Sequence, residues 1–357
     1  MTVTETGSPN RREEGSSAGC LALQSGEEVT KRILTVLLVL VVAASGCINA
    51  AHRIEDTRVS MNTDVTITVM HPDVSEADHA ISCAFAEVYK IEHLMSCTEE
   101  GSEVTRLNNN GSLLNASSDL RYVVTKSVGY SELTGGSFDI TVLPVINLWK
   151  KRMHAGSPPT SDEINEMLEL VNYENISIGN GSISFSQESM GITLGGIAKG
   201  YAIDRAIEVL KEHHIKHALV NAGGDIRAVG SKTEDEPWKV ALRNPKNRTE
   251  HITVLNLRNM SVATSGDYER YFSEKARASH IIDPKTGYAT DELLSATIIA
   301  DHAIDADALA TAVFVLGEAD GMELVERMDR VEGLIITNDR RILRSSGFGA
   351  FEDRGMP

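Results

Sequence analysis

Between His217 and Ala300 the chain carries six strand-like segments with no helical stretch among them: HALVNAGGDIRAVG, WKVALR, ITVLNL, MSVATSG, SHIIDP and SATIIA. Each is short, rich in β-branched residues and bounded by glycine, proline, asparagine or aspartate. Helical segments stand on both sides of this run, from about Ile197 to His213 and over DADALATAVFVLG, Asp305–Gly317. Strands in runs separated by helices exclude a strict βαβ repeat and point to an α+β fold. The rest of the chain agrees. Val65–Val69 alternates as a strand, and a helix runs to about Met95 behind a Ser75–Asp78 capping pair. SEVTRLNNNGS is a polar segment. Ser118–Thr134 is a helix closed by Gly135–Gly136, after which the chain enters a strand at Phe138–Asp139. PPTSDEINEMLELV is a short helix, and ISIGNGSISF and GLIITNDRRILRS are hairpins.

The first 47 residues stand apart. Residues 1–30 read as a disordered leader or a gene-model extension, being rich in Ser, Gly, Glu and Arg. Residues 31–47 read as a signal peptide. Lys31–Arg32 precedes the apolar run ILTVLLVLVVAASGC, which is short for a membrane span of roughly 20 residues. The run ends in small residues and Cys47, a lipobox-like ending with Ala44 where leucine is usual. We therefore expect an exported protein held at the outer face of the cytoplasmic membrane, by lipid on Cys47 or by an uncleaved signal anchor. One domain follows, over residues 55–350. A net charge of −17 excludes a nucleic-acid partner, which needs a basic footprint. Cys83 sits on an apolar helix face and reads as core, and the cysteines form no disulfide or zinc pattern.

Several segments can carry chemistry. Asp307 and Thr311 are four apart on one helix, so they share a face. A carboxylate beside a hydroxyl suits Mg²⁺, although Asp is also at home in a solvated first turn. Asp301 and Asp305 add negative charge nearby. In TLGGIAKGYAID, Thr193–Asp204, Gly195 and Gly196 allow close backbone approach ahead of a helix. Lys199 stands in that helix's first turn against the dipole, which makes sense if it meets an anion. His280, in HIIDPKTG, is a candidate acid or base. Asp139 could bond a heterocycle or ribose with Phe138 packing beside it, or the segment could be only a helix C-cap and a core Phe. NAGGDIRAVG and VATSGDYERYF could line a site through backbone, or be tight turns.

Taken in order, SMNTDVTI, LMSCTEEGSEVTRLN, GGSFDITVLPVINLW, LGGIAKGYAIDRA, VNAGGDIRAVG, VATSGDYERYF, HIIDPKTGY and ADALATAVFVLG resemble the signature blocks of the ApbE family, the FAD:protein FMN transferases. The resemblance implies a T-fold-like α+β domain with FAD in a cleft. It implies that FAD is split at its pyrophosphate, AMP is released, and FMN is joined to a Ser or Thr hydroxyl of an acceptor, typically an Rnf- or Nqr-type electron-transfer subunit. It places Met61, Thr98, Ser137, Phe138, Asp139, Thr193, Lys199, His280 and Ile281 at the FAD. It places Mg²⁺ on Asp307, Thr311 and the Gly196 carbonyl. Catalysis then falls to His280 as the preferred base, Asp307 and Lys199. Two positions depart from the family pattern: Thr193 stands where relatives carry aspartate, and Thr98 stands near where they carry an aromatic. Two other activities fit the same residues, an FAD pyrophosphatase giving FMN and AMP, and a non-catalytic exported flavin-binding lipoprotein.

Overall fold

Strands β1 (His52–Ser60) and β2 (Thr63–His71) pair antiparallel through the two-residue turn Met61–Asn62. Both turn residues have positive φ, the backbone that matches the twist of such a hairpin. The computed structural model describes residues 51–355 except 234, 246, 248, 267–270, 274–277, 280 and 354. The leader, Cys47 and His280 therefore lie outside the described residues. Periodicity marked only Val65–Val69. β1 is a largely exposed edge strand, so it carries almost no apolar alternation.

Helix α1 (Val74–Met95) follows, and its cap is Asp73, accepting from the Glu76 amide, rather than the Ser75–Asp78 pair. The segment expected to be merely polar contains α2 (Glu103–Asn110), held between the Ser102 cap and left-handed Gly111. Only Val104 and Leu107 of α2 are buried, which is why its apolar signal is faint. After β3 (Ser112–Leu114) and α3 (Ser118–Leu133), Gly135 and Gly136 end the helix at positive φ as expected. The strand expected at Phe138–Asp139 is absent. Asp139 caps a 3₁₀ turn, Ile140–Val142, that leads into α4 (Leu143–His154). The β-branched residues suggested a strand, but Pro144 in the first turn and basic residues in the last suit a helix. α5 (Ser161–Leu168) opens with a Thr160–Glu163 capping box. β4 (Ile176–Ile178) and β5 (Ser182–Phe185) join β3 in a small sheet of order β3-β5-β4.

Next come α6 (Ala198–Glu212), β6 (Ala218–Ala222), β7 (Asp225–Val229), β8 (Trp238–Arg243), β9 (His251–Leu257), β10 (Ser261–Gly266), β11 (Tyr271–Ser273), β12 (Ala278–Ser279) and β13 (Leu293–Ala300). The strand expected over SHIIDP is reduced to β12 and an isolated bridge from Ile282 to Ala289. The chain ends with α7 (Ala303–Arg327), β14 (Glu332–Thr337) and β15 (Ile342–Arg344). Gly317 interrupts α7 with non-helical backbone at positive φ, so α7 is two helical segments that meet at a kink where DADALATAVFVLG ends.

The main sheet has order β1-β2-β6-β7-β10-β13-β14-β15, antiparallel throughout. This is the expected α+β class. Helices α1, α6 and α7 cover one face, with Ile67, Val220, Ala263 and Ile298 meeting Phe85, Ile207 and Phe314. The hairpin β8–β9 and Phe348 cover the other, where Trp238, Leu255 and Leu257 meet Ile226, Val262 and Ile299. β13 feeds both layers and is buried along its whole length, which explains its unbroken apolar sequence.

α6 and α7 touch backbone to backbone. A Cβ on Gly200 would lie 2.2 Å from the Ala303 carbonyl oxygen and 2.8 Å from the Ile304 Cα. Neither atom belongs to a side chain that can swing away. Gly200→Ala is expected to cost about 1–3 kcal/mol through forced separation of the helices. Urea unfolding checks this, and a loss under about 0.5 kcal/mol would mean that the helices part freely.

Candidate functional site

The two helices exchange their N-terminal caps. Ile197 and His302 flank the starts of α6 and α7, and neither caps with its own side chain. Instead Asp307 of α7 accepts the Gly200 amide at 2.9 Å, satisfying an orphan donor of α6. Asp204 of α6 accepts the Ala303 and Ile304 amides of α7 at 2.9 and 3.0 Å. Asp204 also holds Arg227 of β7 at 2.5 Å, and both side chains are buried. Burial pushes the Asp204 carboxyl up, and Arg227 with the two amides opposes that shift. Asp204 closes the TLGGIAKGYAID motif, and the motif alone gives it no task. Its signal is a buried Asp one helical turn after Gly200, which has meaning only once α7 is in place.

Asp307 is 5% exposed, so desolvation raises its carboxyl above the usual range, opposed by the Lys199 charge and the Gly200 amide. Lys199 meets the anion that its position demands, and that anion is Asp225, the first residue of β7. Asp225 is buried and also accepts the Thr264 amide at 3.2 Å. NAGGD was expected to act through backbone or as a turn. Gly223 and Gly224 do turn at positive φ, with the Asn221 side chain accepting the Gly224 amide at 2.9 Å. What the turn delivers to the site is the Asp225 carboxylate.

Thr311 lies one turn beyond Asp307 on α7, and its hydroxyl is 3.2 Å from the Ser265 hydroxyl of β10. Gly196 sits against this pair. A Cβ there would lie 3.0 Å from the Thr311 Oγ1 and 3.4 Å from the Phe138 Cε2. So Gly196, Thr311, Phe138 and Ser265 come together, with Asp307, Lys199 and Asp225 along the start of α6. Ser265, like Asp225, was missed as a side chain, because serine in a strand of small residues carries no signal of its own. Asp301 and Asp305 are engaged elsewhere. Arg330 holds Asp301, while Lys126 and Tyr130 hold Asp305 at 2.9 and 2.5 Å.

Thr193 accepts the Gly195 amide at 3.3 Å and so shapes the glycine loop with its hydroxyl alone. Its neighbour across the loop is Cys97, with Sγ 3.9 Å from the Thr193 Oγ1. Thr98, expected near the flavin, is exposed and lies in a turn capped by Ser96, whose Oγ accepts the Thr98 and Glu99 amides. Ser137 and Phe138 are buried, and the Phe138 ring packs edge-on against Tyr130 at 6.1 Å. Asp139 is buried too, and its oxygens already accept from the Thr141 amide and hydroxyl and the Tyr173 amide. Burial nonetheless leaves its carboxyl above the usual range. Asp139 borders a cavity of about 350 Å³ together with Gly136, Asn172, Tyr173, Pro284 and Lys285. Met61 occupies the β1–β2 turn, where its amide donates to Glu92 at 2.6 Å. One strand over, the Gly223 amide donates to the Asp64 carbonyl at 3.1 Å, so this turn neighbours the one that carries Asp225. Ile281 is buried in the main core.

Among the described residues, the side chains at the head of α6 and beside Gly196 that could hold a cation are the Asp307 carboxylate and the Thr311 and Ser265 hydroxyls. Such a set suits a hard cation such as Mg²⁺. Burial disfavours a charge on the Asp307 carboxyl, and a cation bound beside it would offset that cost.

Comparison with known proteins places the chain in a family. The ApbE family model matches residues 61–335, which is most of the chain. The FAD:protein FMN transferase of Haemophilus influenzae is 34% identical over 267 residues, covering 71% of this chain and 77% of that protein. The enzyme of the same description from Vibrio cholerae is 28% identical over 299 residues, covering 82% and 90%. Among solved structures, the ApbE protein of Thermotoga maritima superposes with a TM-score of 0.78 at 32% identity, over 85% of this chain and all of that one. The Vibrio cholerae flavin transferase ApbE gives 0.72 at 27% identity, over 84% and 99%. The α+β sheet, the glycine loop and the Asp307–Thr311 face thus lie on a scaffold shared with these proteins, and the chain belongs to the ApbE family.

Proposed function

We propose that this chain is an FAD:protein FMN transferase: it moves FMN from FAD to a Ser or Thr hydroxyl of an acceptor protein and releases AMP. The observation that carries the reading is the buried Asp307 carboxylate, set beside Lys199 and one turn from the Thr311–Ser265 hydroxyl pair. A carboxylate and two hydroxyls near the head of a helix, behind a two-glycine loop, suit a pyrophosphate and its counter-ion.

Phosphoryl transfer of this kind depends mainly on positioning and charge neutralisation. The acceptor oxygen forms a bond to the FMN phosphorus, the bond from that phosphorus to the bridging oxygen breaks, and AMP leaves with the electron pair. The acceptor proton passes to a base, for which His280 is the candidate. Mg²⁺, held by Asp307, Thr311 and the Gly196 carbonyl, would neutralise the charge that builds on the pyrophosphate. Lys199, whose ammonium is paired with Asp225, would add positive charge beside the same phosphates. Gly195 and Gly196, having no side chains, let the ligand approach the backbone, while Phe138 walls the loop from behind. Thr193 keeps the loop closed on its own amide. We take the acceptor to be an Rnf- or Nqr-type subunit. We take the enzyme to act outside the cytoplasmic membrane, anchored through its leader at Cys47 or by the apolar run before it.

Mass spectrometry of such a subunit after incubation with the protein, FAD and Mg²⁺ tests the reading. The expected product is the subunit plus one FMN on Ser or Thr, formed one-for-one with AMP and absent when EDTA is added. AMP release at the same rate without any acceptor would instead make the chain a pyrophosphatase. Tight FAD binding without turnover would make it a carrier.

A further inference from the structure

At the far end of α6 stands a second group of chemically active side chains. His79 and Cys83 are four residues apart on α1 and share one helical face. His213 ends α6, and the chain turns away at His214, which has φ of 60°. Because α1 packs along α6, the three side chains converge, and their ligand atoms all lie within 4.8 Å of one another. No other such trio of His, Cys, Asp or Glu occurs among the described residues. The His79 Nε2 is 3.8 Å from the Cys83 Sγ, and the His79 and His213 rings meet edge-on at 5.2 Å. Cys83, expected to be core, is only half-buried, and His79 is exposed.

A thiol-to-imidazole hydrogen bond would account for His79 and Cys83 but not for His213. A metal ion accounts for all three. Bonds of roughly 2.0–2.3 Å to nitrogen and sulfur separate the ligand atoms of a tetrahedral centre by about 3.3–3.8 Å. The His79–Cys83 pair already has that spacing. Two imidazoles and a thiol favour zinc-like ions and disfavour Mg²⁺ and Ca²⁺, which need oxygen. The C-terminal end of α6 adds a partial negative charge that favours a cation.

We propose that His79, Cys83 and His213 bind a divalent transition-metal ion of the zinc type, with water completing its shell, and so staple α1 to α6. Lys199 lies fourteen residues back along α6, roughly 21 Å at helical rise, so the ion holds the helix without touching the chemistry.

The test uses the full chain with Co²⁺ and Zn²⁺ as probes. Co²⁺ is expected to give a sulfur-to-cobalt charge-transfer band, saturating at one ion per chain. Cys83→Ser should abolish the band, while Cys97→Ser and Asp307→Ala should keep it. His79→Ala and His213→Ala should each weaken Zn²⁺, measured against a chromophoric chelator, by more than about tenfold. Zn²⁺ should raise the Tm of the wild type and not that of Cys83→Ser. If Cys83→Ser melts early without metal, His213→Ala on the other helix decides the matter. A missing band, or a band unchanged by Cys83→Ser, would overturn the proposal.

Discussion

Asp307→Asn removes FMN transfer and leaves the fold at least as stable as before. We expect kcat/KM to fall by about 10³-fold, equivalent to about 4 kcal/mol of barrier. The side chain keeps its volume, and its amide oxygen can still accept from Gly200. What disappears is the charge. Burial disfavours that charge in the folded protein and lifts the Asp307 carboxyl above the ordinary range. Its removal therefore relieves the fold while stripping the site of its one anionic oxygen ligand on α7. The urea midpoint should stay level or rise, and Mg²⁺ should no longer stimulate AMP release. A variant within tenfold of wild-type activity would show that Asp307 is a cap and nothing more.

The opposite balance holds at Asp204. Asp204→Ala leaves Arg227 charged, buried and unpaired, and it frees the Ala303 and Ile304 amides. Removing one partner of a buried pair costs about 3–5 kcal/mol, which is a large part of the stability of an ordinary domain. Urea unfolding should show a loss of that size. Asp204→Leu combined with Arg227→Met should recover most of it, leaving a deficit near the value of a lost helix cap, about 1 kcal/mol. If Asp204→Ala alone costs under about 1 kcal/mol, water or another group replaces the carboxylate and the capping role is minor.

The sequence was legible where a residue's role is local. α1, α3, α5 and α6 are visible in the sequence near their observed bounds, although α1 is capped by Asp73 rather than by the Ser75–Asp78 pair, and the GLIITNDRRILRS hairpin is visible from its turn residues. The Asp307–Thr311 face was visible because four residues on a helix fix a shared direction. Gly196 beside Thr311 came from the family resemblance, and the geometry brings the two together. What stayed hidden depends on partners distant in the chain. Asp225 looked like part of a turn because Lys199 is 26 residues upstream in the sequence. Asp204 looked like one more polar residue on a helix. Cys83 looked like core because only the packing of α1 on α6 brings His213 beside it. The misread strand at Phe138–Asp139 failed for a local reason. Ile140, Thr141 and Val142 favour β structure individually, and Asp139 with Pro144 overrides them by starting a helix.

The traded caps have a consequence for motion. If α6 detaches, the Ala303 and Ile304 amides are stripped along with it, and if α7 detaches, the Gly200 amide is stripped. Neither helix can open alone without exposing the start of the other, so hydrogen exchange at the two N-termini should occur in a single shared opening. The residues proposed to hold the pyrophosphate and its cation sit on that junction. A partly opened molecule would therefore present no half-formed pocket: the pocket is there whole or not at all.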